Sequence, residues 1–99
     1  MDAKLLEILS LDIGSETLNL SPRVINGCKG LGIKNLFELV AVYSLRNKPE
    51  SNFSEIFGDK SVSEIEEVII NIGIDLALTH LVVEKYVPYF KNPILKNLN

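Results

Sequence analysis

Apolar positions recur every three or four residues along this chain, and no stretch alternates as a half-buried strand would. Leu5, Leu6, Ile8 and Leu9 make a first stripe, in a helix that Asp2 can cap and that should run to about Leu11. "DIGSETLNL" then breaks the period. Ser21-Pro22 is a strong helix start, because serine accepts a bond from an orphan amide and proline belongs in the first turn. Val24, Ile25, Cys28 and Leu31 form one stripe behind it, and Gly30 and Gly32 end that helix. Asn35, with Glu38 three residues on, should cap a further helix that turns Leu36, Leu39, Val40 and Tyr43 inward.

"SLRNKPESN" is polar, contains Pro49 and reads as an exposed loop. Ser51 opens a brief turn carrying Phe53, Ile56 and Phe57, which stops at Gly58. Ser61 with Glu64 reads as a capping box before the clearest helix, Val62 to Ile72. Its residues Val62, Ile65, Val68, Ile69 and Ile72 lie on one side; Gly73 supplies a left-handed stop over which Ile74 packs back. Asp75 should cap a last helix, Leu76 to about Val87, halted by Pro88. Its apolar residues cover more than one stripe, so either it is deeply buried or a spare face meets a partner. Beyond it, "YFKNPILKNLN" offers Tyr89, Phe90 and Ile94 for partial ordering. The expected fold is all-α, a compact bundle of five to six short helices.

Composition narrows this picture. Ninety-nine residues, 46% of them apolar, suit one small domain with a modest core. No run of eighteen apolar residues occurs, so no membrane span is expected. The acidic start "MDAKLLEILSLDIGSE" lacks a basic leader and a small-residue cleavage site, and it does not read as a signal peptide. Cys28 is the single cysteine, which excludes an internal disulfide and fits a reducing compartment, so a cytoplasmic location is expected.

A net charge of −3 argues against a generic nucleic-acid coat, but the charges are unevenly spread. Residues 21–49 carry five bases (Arg23, Lys29, Lys34, Arg46 and Lys48) against Glu38 alone. Residues 50–75 reverse this, with Lys60 the one base among seven acids. An anion site on this chain should therefore be local.

Candidate reaction chemistry is sparse. One histidine, His80, and one cysteine make no zinc set, and they stand far apart in sequence. "GDKS" resembles the end of a nucleotide-binding loop, but no glycine stands five residues before Gly58 and no strand precedes it. No catalytic residue, cofactor or metal is expected, and the chain does not read as an enzyme.

Two helix starts suit a phosphate backbone better. "LSPRVINGCKGLGI" and "IFGDKSVSEI" each join a glycine turn to a serine at a helix start, where free amides and a partial positive charge attract anions. Gly58 lets a ligand approach the backbone, and Lys60 adds a point charge beside Ser61. Arg23, Asn26 and Lys29 recur every third residue. Gly27, beside them, costs about 1 kcal/mol relative to alanine inside a helix. Either a foreign backbone passes there, or the glycine relieves crowding against another helix.

Those two stretches in order resemble the C-terminal domain of the bacterial RNA polymerase alpha subunit. The likeness runs from Leu18 to Leu76. It comprises leucine-serine, an arginine two residues on, an asparagine three further, a lysine, a "GI" hairpin leading to "ELV", and glycine-x-lysine-serine opening a helix. The resemblance implies a helix-hairpin-helix-like domain at 17–76, with an N-terminal helical extension at 1–16 and an apolar helix and tail at 77–99. It also implies binding to the minor groove of A+T-rich double-stranded DNA in transcription, association with the nucleoid, and contact with RNA polymerase, sigma factor or a transcription regulator. By motif, Arg23 would enter the groove beside Asn26, with Gly27 and Lys29 on the same element. Gly58, Lys60 and Ser61 would hold the backbone, and Glu64 would sit next to that surface. The chain departs from the family at Gly27, where cysteine is common, and at Asp59 and Glu66, where bases are common. Both acids should oppose phosphates and weaken binding. Thr17 and Asn19 carry no charge where the family has an acidic sigma-facing patch. The alternative expectation is a protein-interaction module of the same fold, with weak or no DNA binding, which either pairs as a homodimer through residues 76–90 or docks on polymerase or a regulator.

Overall fold

The computed structural model describes residues 3–90, and among them it contains six α-helices and no strand. The helices are α1 (Ala3–Leu9), α2 (Pro22–Leu31), α3 (Leu36–Ser44), α4 (Phe53–Ile56), α5 (Asp59–Asn71) and α6 (Thr79–Tyr86). Tight 3₁₀ turns at Leu76–Leu78 and Val87–Tyr89 flank α6. The fold is all-α, and no helix among the described residues is long and apolar enough to cross a membrane.

Local chemistry explains most boundaries. Ser21 Oγ accepts the Val24 amide at 3.3 Å, and Pro22 occupies the first turn of α2. Gly32 ends it with φ 76°, and Ile33 N–H closes back on the Cys28 carbonyl at 2.9 Å. Asn35 Oδ1 caps α3 by accepting the Glu38 amide at 2.9 Å. Gly73, with φ 90°, ends α5, and Ile74 is buried behind it.

Elsewhere the expected boundaries move. The first helix stops at Leu9 rather than Leu11, and the Ser10 hydroxyl donates to the Leu6 carbonyl. The expected cap Asp2 and the tail residue Ile94 lie outside the described residues. The predicted helix 76–87 divides in three, because Asp75 caps a 3₁₀ turn by accepting the Ala77 amide at 2.8 Å. Pro88 does not halt the coil; it sits inside the following 3₁₀ turn, where its missing N–H costs nothing.

The centre of the molecule is α3, of whose nine residues seven are buried. Leu9 of α1, Val24 and Cys28 of α2, Ile65 and Ile69 of α5, and Val83 and Tyr86 of α6 share one core with it. Phe90 stacks on Phe37 with ring centroids 4.1 Å apart. The first and last segments thus contribute to the same core as 17–76. The strand-like pairing of Asp12 with Asn35 holds the segment after α1 against the α2–α3 turn. Of the apolar residues expected on the last helix, Val83 and Tyr86 are buried in the core and Leu76, Val82 and Val87 pack partly against it, while Leu78 and Leu81 stay exposed, as does Tyr89 beyond them.

Two buried acids of high ordinary pKa make the fold alkali-sensitive. Burial pushes the Cys28 thiol from 9 up to about 12. Tyr43 rises from 10 to about 12, through burial and then through donating its hydroxyl to Glu66. Both stay neutral in the fold and ionise sooner when unfolded, so their contribution is complete below about pH 9 and falls as pH climbs toward 12. Thermal melting should show Tm constant from pH 7 to about 9 and declining above it. Tyr43→Phe should shallow that decline.

Candidate nucleic-acid interface

The crossing of α2 and α5 brings together residues that are distant in sequence. Arg23, in the first turn of α2, donates from Nε to Ser61 Oγ at 2.8 Å. One turn along α5, Glu64 Oε2 accepts the Ser21 amide at 2.6 Å, while its Oε1 lies 3.7 Å from Arg23 Nη2. The Arg23 side chain is 56% exposed and that of Glu64 25%. The guanidinium is therefore braced along its Nε–Nη2 edge, and Nη1 has no partner among the described residues.

Ser61 is the point at which local reading failed. The expected capping box of Ser61 and Glu64 is absent, because α5 begins at Asp59, with Gly58 in extended geometry at its cap. Ser61 falls in the third position of the helix, buried, and its hydroxyl turns across to Arg23. Glu64 turns likewise to Ser21. A charged donor and a free helix-start amide on α2 outcompete the local capping arrangement.

The helix starts differ in what fills them. At α2 the anion position is taken by Glu64. At α3, Glu38 accepts the Lys34 amide at 2.7 Å, and Asn35 caps. The start of α5 has no side-chain cap, and its first internal bond runs from Val62 N–H to the Gly58 carbonyl at 2.9 Å. The amides of Asp59, Lys60 and Ser61 precede that bond and have no partner among the described residues. Phosphate chemistry is thus available at one of the two stretches that the sequence suggested.

The remaining candidates surround this feature. Lys60 is exposed, makes no ion pair among the described residues, and lies one turn before Glu64 on the same face of α5. Asn26 is exposed one turn beyond Arg23, and Lys29 is exposed in the last turn of α2. Gly27 is a packing position: a Cβ there would lie 2.5 Å from Cε1 of Phe57, so the phenyl ring occupies the space and no foreign backbone can enter.

Of the two acids expected to oppose phosphate, Glu66 is engaged elsewhere, while Asp59 stands at the start of α5 itself. Glu66 accepts the Tyr43 hydroxyl at 2.6 Å, toward α3. Asp59 lies opposite Ser61 on α5 and lines a cleft of about 470 Å³ with Arg46, Phe53, Phe57, Gly58 and Val62, so its carboxylate stays beside the helix start. Arg46, counted in the basic block, lies 4.0 Å over the Tyr43 ring and donates to the Tyr43 carbonyl, so it belongs to the packing of α3. His80 is exposed on α6. Among the described residues no group of three or more histidine, cysteine, aspartate or glutamate side chains could hold a metal ion.

No protein-family model, curated protein or solved structure matches this chain. The case for function therefore stands on the chemistry of the α2–α5 surface.

Proposed function

We propose that the chain is a DNA-binding domain resembling the C-terminal domain of the RNA polymerase alpha subunit, acting in transcription. On this reading the α2–α5 crossing faces A+T-rich double-stranded DNA. The observation that carries it is the braced Arg23: a guanidinium fixed by Ser61 and Glu64 beside a helix start with open amides. A narrow A·T minor groove has enhanced negative potential and draws in such a group, reading width rather than base identity. Asn26 reaches the groove edge. The amides of residues 59–61, together with Lys60, hold phosphate and position the domain.

The test is a titration of backbone amide shifts with A+T-rich and G+C-rich duplexes. Perturbations should be larger with the A+T-rich duplex and confined to Ser21–Lys29 and Gly58–Glu64. With about three phosphates neutralised, log affinity should fall against log salt with a slope near −3. No binding at low salt, or shifts scattered over α6, would remove the reading.

A second reading is motivated by the half-exposed Leu78, Leu81 and Tyr89. On that reading residues 76–90 pair two copies of the chain, or dock on polymerase, sigma factor or a regulator. Sedimentation should then show a concentration-dependent dimer that Leu81→Glu abolishes without unfolding. A monomer up to about 1 mM, where association would be worth only about 4 kcal/mol, rules the homodimer out.

A further inference from the structure

We propose that Gly27, through Phe57, sets the spacing between α2 and the start of α5 and so aims Arg23; the use of that aim rests on the DNA-facing reading above. Arg23 and Gly27 lie one turn apart on the same face of α2. The first crosses to Ser61 at 2.8 Å, and the second meets the edge of the Phe57 ring. Phe57 immediately precedes Gly58, the cap of α5, so the ring and the open amides travel together.

The contact leaves no slack. A Cβ on residue 27 would stand 2.5 Å from Cε1 and 3.1 Å from Cδ1 and Cζ of Phe57. Unbonded carbons settle at about 3.5–4.0 Å, so a methyl group requires a retreat of about 1 Å. The ring borders the cleft of about 470 Å³ on one side and is backed by other rings on the next. It is buried, with the Phe53 ring 4.9 Å behind it. Phe53 in turn meets Tyr43 edge-on at 5.8 Å, and Tyr43 is held by Glu66 and lies under Arg46. On this proposal the displacement is passed to the α2–α5 spacing rather than taken up by the ring in that cleft. One ångström added to the Arg23–Ser61 separation takes it beyond hydrogen-bonding range and frees the guanidinium. Gly27 and Phe57 are positioning residues on this account; neither touches the DNA.

Gly27→Ala, Phe57→Leu and the double variant test this by two readouts. The first is the Arg23 Nε–H resonance and its hydrogen exchange, which needs no DNA. The second is affinity for an A+T-rich duplex at low salt. Gly27→Ala should keep a dispersed amide spectrum, shift Arg23 Nε–H to the position of a solvated guanidinium, and bind about tenfold more weakly, as for one lost charge-assisted bond. The double variant, with a slimmer side chain at 57, should restore both. An unmoved Arg23 Nε–H in Gly27→Ala overturns the proposal. If that variant does not fold, Phe57→Leu alone decides: it should loosen Arg23 Nε–H by removing the ring, and an unchanged signal overturns the proposal. A shifted Arg23 signal with unchanged DNA affinity overturns the aiming. A wild-type chain that binds no DNA, while the Arg23 signal responds as expected, refutes the DNA reading and leaves the spacing role standing.

Discussion

Arg23→Ala should reduce affinity for an A+T-rich duplex by about thirty- to a hundred-fold at low salt, close to the floor of detection. Removing a braced cation from a polyanion contact costs about 2–3 kcal/mol, at the low end of what truncating a hydrogen-bonded charge pair costs. The loss also strips Glu64 of its cation and leaves a carboxylate, held only by the Ser21 amide, facing phosphate. Arg23→Lys should rescue little. Lysine has no planar fork with which to bond Ser61 on one edge and present donors on the other. Stability should fall by about 1–2 kcal/mol, since the pair with an arginine 56% exposed is worth little and the buried Ser61 hydroxyl loses its partner. Fluorescence anisotropy measures the first effect and thermal melting the second. Binding by Arg23→Ala within twofold of wild type would sink the assignment of this residue.

Phe37→Ala should be the most damaging single change to the fold. The ring is fully buried on α3 and stacked on Phe90 at 4.1 Å. Truncation of a core phenylalanine costs about 3–5 kcal/mol in transfer and cavity terms. In a domain of this size 1 kcal/mol shifts Tm by about 4–8 °C, so a fall of at least about 12 °C is expected. Phe90→Ala should cost less, because that ring is only partly buried and the core beneath it stays filled. Equal losses in the two variants would mean that the stack itself, rather than burial of Phe37, carries the energy.

The parts of this fold that were legible beforehand are those specified by neighbours in sequence. Ser21-Pro22, Asn35 and the glycines at 32 and 73 act within one helical turn, and each does in the fold what its local chemistry suggests. The inward positions of α3 follow from spacing alone. Illegible features depend on partners far along the chain. Ser61 and Glu64 have the spacing of a capping box, yet α2 supplies partners 38 and 43 residues away that hold them better. Glu66 reads as a surface acid until α3 presents the Tyr43 hydroxyl, 23 residues away. The two readings of Gly27 could not be separated without knowing that Phe57 stands opposite it. Of the candidate surface, Arg23, Ser61 and Glu64 are brought together, and Lys60 flanks them, while Glu66 turns to α3.

Every side chain assigned to the α2–α5 surface falls between residues 21 and 64, yet a peptide cut to 17–76 would be a poor substitute for the chain. Such a fragment lacks Leu9, Val83 and Tyr86, and it lacks the ring that lies on Phe37. Its central helix would be stripped on two flanks, with greasy surface bare to water. Minimal versions made for binding studies should therefore keep α1 and extend at least through Phe90, or they will report on a collapsed globule instead of the recognition surface.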